Sequence, residues 1–123
     1  MLEALHHLLN RLPALNYAVF ERLIFHLARV AEQEPANKMS PYNLAVIFAP
    51  CLFQGETKSR NPQDLIKELA KQTIVLEVII EEQVEKLQAT LRGIETLSVV
   101  ARHTASKLTE LISSEEVCTV LMC

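Results

Sequence analysis

Cysteine, histidine, clustered glutamate and one asparagine in an apolar run are the residues here whose types could do chemistry. A cysteine nucleophile needs an activating base close by. Cys51 follows Pro50 on the expected core side of a helix, and Cys118 and Cys123 fall in the tail, so each is read as structural or incidental. His6 and His7 are adjacent and point about 100° apart, which rules out the one-face metal pair that an i,i+4 spacing would give. Both are expected on a solvated flank. His26 lies among Glu21, Arg22, Arg29, Glu32 and Gln33, with no ligand set at metal spacing, and reads as a surface residue. Glu81, Glu82 and Glu85 read as a solvated helix face on which Glu82 can support Lys86 at i,i+4. Two distant glycines cannot build a phosphate-cradling loop. No catalytic constellation, metal site or cofactor is indicated. Asn43 is the exception of interest, because a primary amide inside an apolar segment must find partners, a neighbouring loop being the simplest.

The element that carries Asn43 is Asn37-Lys-Met-Ser-Pro-Tyr-Asn-Leu-Ala-Val-Ile-Phe-Ala-Pro-Cys51. Ser40 followed by Pro41 reads as a helix start: the hydroxyl accepts an orphan N–H, and proline fits the first helical position. Pro50 disfavours helical geometry at Ala49, so this helix is expected to be short, about ten residues at most. At 100° per residue, Leu44, Phe48, Cys51 and Leu52 share one face; Asn43, Val46, Ile47 and Pro50 share another. Two largely apolar faces mean a buried helix, or one with a core on one side and a partner on the other.

The flanking segments are helical too. Leu2, Leu5, Leu8, Leu9 and Leu12 are spaced three and four apart over residues 2–11, ending at Pro13. Asn16 is a plausible cap for a helix to about Gln33, with Tyr17, Phe20, Leu23, Ile24, Leu27, Val30 and Ala31 as its apolar stripe. Pro35 is expected to stop it, leaving Glu34 to Lys38 as a polar loop. Gln54 to Asn61 is the clear loop, and Asn61-Pro62-Gln63-Asp64 repeats the cap-then-proline start. Helical spacing then runs through Leu65, Leu69, Thr73, Leu76 and Ile80, with the β-branched cluster around Thr73–Ile80 allowing a break near Ala70–Thr73. From Ile80 the steps of four and three continue through Val84, Leu87, Leu91, Ile94, Ser98, Ala101, Ala105, Leu108 and Ile112. That is a heptad seam, weakened by Ser98, two alanines and Gly93.

At 123 residues, half of them hydrophobic, with two glycines and no alternating apolar pattern, the chain reads as all-α. A net charge of −3 argues against general nucleic-acid binding. The longest apolar run, Leu44 to Phe53, falls far short of the roughly 20 residues of a membrane span. Three irregularly spaced cysteines suit a reducing compartment, and no signal peptide or prenylation box is seen. The expected setting is cytoplasmic.

Asn-Lys-Met-Ser followed by Asn-Leu-Ala-Val-Ile-Phe-Ala-Pro, with Leu-Pro-Ala-Leu-Asn and Leu-Ile-Phe-His-Leu-Ala-Arg-Val before it, resembles the C-terminal half of a Rho GTPase-activating (RhoGAP) domain. The variant Phe-Ala-Pro-Cys, with Glu-Arg-Leu-Ile-Phe-His-Leu-Ala-Arg-Val-Ala, is most similar to the tail of class IX unconventional myosins. The resemblance covers residues 10 to about 110. It implies a helical-bundle fragment over 1–90; the spacing adds a helical heptad extension over 91–112, and 113–123 is expected to be a disordered tail. It also implies a GTP-bound Rho-family GTPase as partner and an actin-associated setting. In that family the Asn of Asn-Leu-Ala contacts the GTPase at its nucleotide site, a role that carries over to Asn43; Val46, Ile47 and Pro50 share its stripe. The family's arginine finger, worth roughly 10³–10⁵ in rate, and the basic residue of its Lys-x-x-Leu-Arg-x-Leu-Pro segment lie in the N-terminal half. The chain is expected to begin after them, and Arg11 lies outside that motif. The resemblance therefore implies a regulator fragment, not an enzyme. The competing class is a helical self-association module acting through the 80–112 seam.

Overall fold

Proline marks the starts of four helices. In a computed structural model, which describes residues 1–53 and 61–113, Pro13 caps α2, Pro35 opens α3, Pro41 opens α4 and Pro62 opens α5. Each takes a place where a missing N–H costs nothing and a fixed φ suits the first turn. The five helices among the described residues are α1 (Leu2–Leu9), α2 (Ala14–Glu32), α3 (Glu34–Asn37), α4 (Pro41–Leu52) and α5 (Pro62–Ser113). There is no strand among the described residues, so the fold is all-α. The chain divides into two compact units, Met1–Leu87 and Gln88–Cys123, and α5 contributes to both.

The first unit is built round ten buried apolar residues. Ile24, Leu27, Ala28 and Ala31 come from α2, Leu44, Ala45 and Ala49 from α4, and Leu76, Ile79 and Ile80 from α5. The spacings within α2 and α5 are the three- and four-residue steps that put side chains on one helical face. Leu27, Leu76 and Ile80 are the largest fully buried side chains, each contributing about 1.5–3 kcal/mol by leaving water. Ala45 and Ala49 are completely buried; small side chains one turn apart let α4 lie closely against α2, its neighbour. Leu5 and Leu9 of α1, Phe20, Leu23, Phe48, Leu52 and Val84 pack partly buried around this centre.

Several boundaries differ from the sequence expectation. The second helix begins at Ala14, capped by Pro13, so Asn16 lies inside it. The expected polar loop at Glu34 to Lys38 contains the one-turn α3, because Pro35 begins a helix as readily as it ends one. Pro50 does not shorten α4, which reaches Leu52 as a twelve-residue helix. Pro50 removes only the bond that would go to the Val46 carbonyl, on the exposed side of the helix where water can take its place. No break occurs near Ala70–Thr73: the Thr73 hydroxyl donates to the Leu69 carbonyl at 2.9 Å, within an unbroken α5. The loop expected from Gln54 and the disordered tail lie mostly outside the described residues.

The described part of the second unit, 88–113, is a helix with every residue exposed. Thr96, Thr104 and Thr109 each donate a hydroxyl to the carbonyl four residues back, at 2.9 Å. A Cβ added at Gly93 would meet nothing within 4 Å, so packing does not demand glycine there. Of the seam residues, Leu91, Ile94, Leu108 and Ile112 are 42–63% exposed.

Candidate functional site

The connection from α2 to α4 is held by two asparagines. Lys38 closes α3 with left-handed backbone, φ 60° and ψ 22°, the only positive φ at a non-glycine residue described. That conformation costs a side-chain-bearing residue roughly 1–2 kcal/mol. Asn37 compensates from both ends of its amide: Nδ2 donates to the Val30 carbonyl at 2.7 Å, and Oδ1 accepts from the Met39 N–H at 2.8 Å. The Lys38 ammonium adds a bond to the Pro35 carbonyl at 2.8 Å. Then Ser40 caps α4 as expected, its hydroxyl accepting from the Asn43 N–H at 3.1 Å.

Asn43 sits on this platform. Its Nδ2 donates to the Lys38 carbonyl at 3.2 Å. A carbonyl only accepts, so it fixes which end of the amide faces the loop. The other end, Oδ1, has no donor among the described residues, and Asn43 is exposed, so that acceptor is left open. Asn43, Val46, Ile47 and Pro50 are all exposed, with Val46 at 46% and Ile47 at 57%. Tyr42, 53% exposed, adjoins them. The face is thus an apolar ridge with one oriented amide, and the buried Leu44, Ala45 and Ala49 lie on the other side of α4.

Cys51 corrects the expected core face. It is exposed, and its thiol donates to the Ile47 carbonyl at 3.8 Å. Ranking only large apolar residues placed the core between Leu44 and Leu52. The two buried alanines move its centre round the helix and leave Cys51 at the edge. Spacing does not reveal Asn37 and Lys38 as positioning residues, although Asn is a known turn former.

A second polar group borders a groove of about 340 Å³ in the first unit, walled by Leu9, Phe20, Ile24 and Ile79. On its rim His6 Nε2 lies 3.0 Å from both Glu82 carboxylate oxygens, and Lys86 Nζ reaches Glu82 Oε1 at 2.7 Å. The Glu82–Lys86 pair has the expected i,i+4 spacing. His6, though exposed, bonds across to α5 instead of standing on a purely solvated flank. Glu82 is held below the usual carboxylate range, chiefly by the Lys86 hydrogen bond, with partial burial opposing and the His6 contact adding to it. His26 is exposed on α2, as expected. No group of three or more His, Cys, Asp or Glu among the described residues could hold a metal ion, and no described helix is long and apolar enough to cross a membrane.

The geometry defines an all-helical unit with an asparagine-bearing apolar ridge on α4, and comparison with known families supplies what it is similar to. Residues 1–57 match the RhoGAP domain, which is consistent with a partial domain of that family. Unconventional myosin-IXb of Rattus norvegicus is 42% identical over 96 residues, 78% of this chain and 5% of that protein. Unconventional myosin-IXAa of Danio rerio is 35% identical over 109 residues, 89% of this chain and 4% of that protein. Active breakpoint cluster region-related protein of Xenopus tropicalis is 41% identical over 73 residues, 58% of this chain and 8% of that protein. The chain thus spans only a small fraction of the length of these relatives.

Proposed function

We propose that this chain is part of a Rho GTPase regulator and docks on a GTP-bound Rho-family GTPase through Asn43, Val46, Ile47 and Pro50. The observation that carries this reading is the orientation of Asn43. The Lys38 carbonyl holds its nitrogen at 3.2 Å, which leaves Oδ1 as an open acceptor on an exposed residue among exposed apolar neighbours. Such a ridge can exclude water from an interface while one amide supplies directional hydrogen bonding. On this reading residues 1–90 form the C-terminal portion of the activating domain and 91–112 an extension beyond it. A cytoplasmic, actin-associated setting fits the relatives named as myosins.

Stimulated hydrolysis needs more than docking. An arginine finger neutralises charge in the transition state and is worth roughly 10³–10⁵ in rate. On this reading none of the arginines here is the finger, Arg11, which follows α1, included. These 123 residues therefore bind weakly and leave the hydrolysis rate unchanged, while an intact parent domain stimulates it. The test is single-turnover phosphate release from a GTP-loaded Rho protein with excess fragment, beside a binding titration. Weak binding that Asn43→Ala removes, with no acceleration, is the expected result. In an intact domain the same change slows stimulated hydrolysis, because a desolvated polar partner left unpaired costs roughly 1–3 kcal/mol. Acceleration above roughly tenfold by the fragment would overturn the reading, since a finger is normally needed for so large an effect.

A further inference from the structure

Among its described residues, 88–113, the second unit is a helix that buries no side chain. Isolated helices owe little of their stability to propensity; an amphipathic face normally has to pack on something. We propose that this face packs on the same segment of a second copy, the two helices running antiparallel as a coiled coil.

Heptad letters show why a second copy fits and why the direction is antiparallel. With Leu91, Ser98, Ala105 and Ile112 at a and Ile94, Ala101 and Leu108 at d, the e positions include Glu95 and Arg102. Flanking charges of this kind set partner choice and orientation in coiled coils. In an antiparallel pair e faces e, so Glu95 of each copy meets Arg102 of the other, twice per dimer. A parallel pair instead sets Arg102 against Leu97 and Glu95 against Thr90, and no opposite charges meet on that flank. All four of these residues are exposed in the single chain.

Core layers give an independent argument. A parallel pair stacks Ser98 on Ser98, Ala101 on Ala101 and Ala105 on Ala105, three thin layers in succession. Such thin layers bury little and leave voids, each of which is destabilising. The antiparallel register sets Leu91 on Leu108, Ile94 on Ala105 and Ser98 on Ala101. Only the central pair of layers is then thin, and Ile94 fills the space beside Ala105. Size and charge select the same direction.

The experiment is mass measurement by light scattering on the full chain across the micromolar range. Wild type is expected to dimerise. Glu95→Arg and Arg102→Glu should each weaken the dimer by about tenfold or more, because each sets like charges together at two places. Mixing the two variants, or combining both changes in one chain, should restore it. As exposed substitutions, neither should disturb folding, which circular dichroism checks. Orientation is read separately: Leu91→Cys should crosslink to a Leu108→Cys chain, and not to another Leu91→Cys chain. A monomeric wild type, a dimer indifferent to the single charge changes, or 91-to-91 crosslinking would each overturn the proposal.

Discussion

Replacing Asn37 by alanine removes the two hydrogen bonds that hold the turn beneath Asn43. The Val30 carbonyl loses its donor at 2.7 Å and the Met39 N–H loses its acceptor at 2.8 Å. A typical intramolecular hydrogen bond contributes about 0.5–1.5 kcal/mol net. Asn37 is exposed, so water recovers part of that, and the expected loss is about 1–2 kcal/mol in total. For a unit of 87 residues, each kcal/mol shifts the melting midpoint by about 4–8 °C. Asn37→Asp separates the two bonds: it keeps an acceptor for Met39 but turns a carboxylate oxygen toward the Val30 carbonyl. It should therefore destabilise about as much as alanine, despite losing only one bond. Lys38→Gly should be close to neutral, because relief of the left-handed strain is offset by a more flexible unfolded chain and the lost Lys38–Pro35 bond. Urea unfolding reads the stabilities, and hydrogen exchange at the Met39 and Asn43 amides reads the turn itself. An Asn37→Ala change below about 0.3 kcal/mol, with unchanged exchange at Met39, would refute the claim that Asn37 stabilises this backbone.

Two further changes test the first unit. Leu76→Ala, at a side chain with no exposure, should cost about 2–5 kcal/mol through lost transfer energy and a cavity, seen as lowered resistance to urea. Glu82→Gln tests the His6–Glu82–Lys86 group by its pH dependence. A carboxylate held below its ordinary value stabilises the fold above that range and loses the contribution as pH falls through it. Wild type should therefore exceed the variant at neutral pH by about 0.2–1 kcal/mol, the usual worth of an exposed pair, and thermal melts should converge at acid pH.

Much of this fold is legible in the sequence because large aliphatic residues recur at helical steps. The stripe through Ile24, Leu27 and Ala31, the Ser40-Pro41 start and the continuation through Leu76 and Ile80 all follow from spacing alone. What spacing misreads is proline and alanine. Pro35 and Pro50 look like stops because an interior proline loses a hydrogen bond. Pro35 instead occupies a first turn, and Pro50 gives up its bond on the wet side of a helix whose dry side is pinned by Ala45 and Ala49. Those alanines carry little weight in a hydrophobicity pattern, yet they are completely buried. A pattern that leaves them out puts Cys51 on the core face. His6 and Glu82 are 76 residues apart, and no local pattern could join them.

The candidate site divides the same way. A lone amide on an apolar helix identifies Asn43, but its two ends are chemically opposite, and sequence alone does not say which one faces outward. That depends on the Lys38 carbonyl, which is aimed by left-handed backbone, which Asn37 in turn supports from Val30. Three residues outside the ridge thus decide whether it offers an acceptor or a donor. It follows that loosening the turn should weaken docking without touching the ridge, and that Asn43→Asp should not mimic the native residue. The aspartate keeps an outward oxygen but faces the Lys38 carbonyl with a second one, so the helix start would have to rearrange before the ridge could present it.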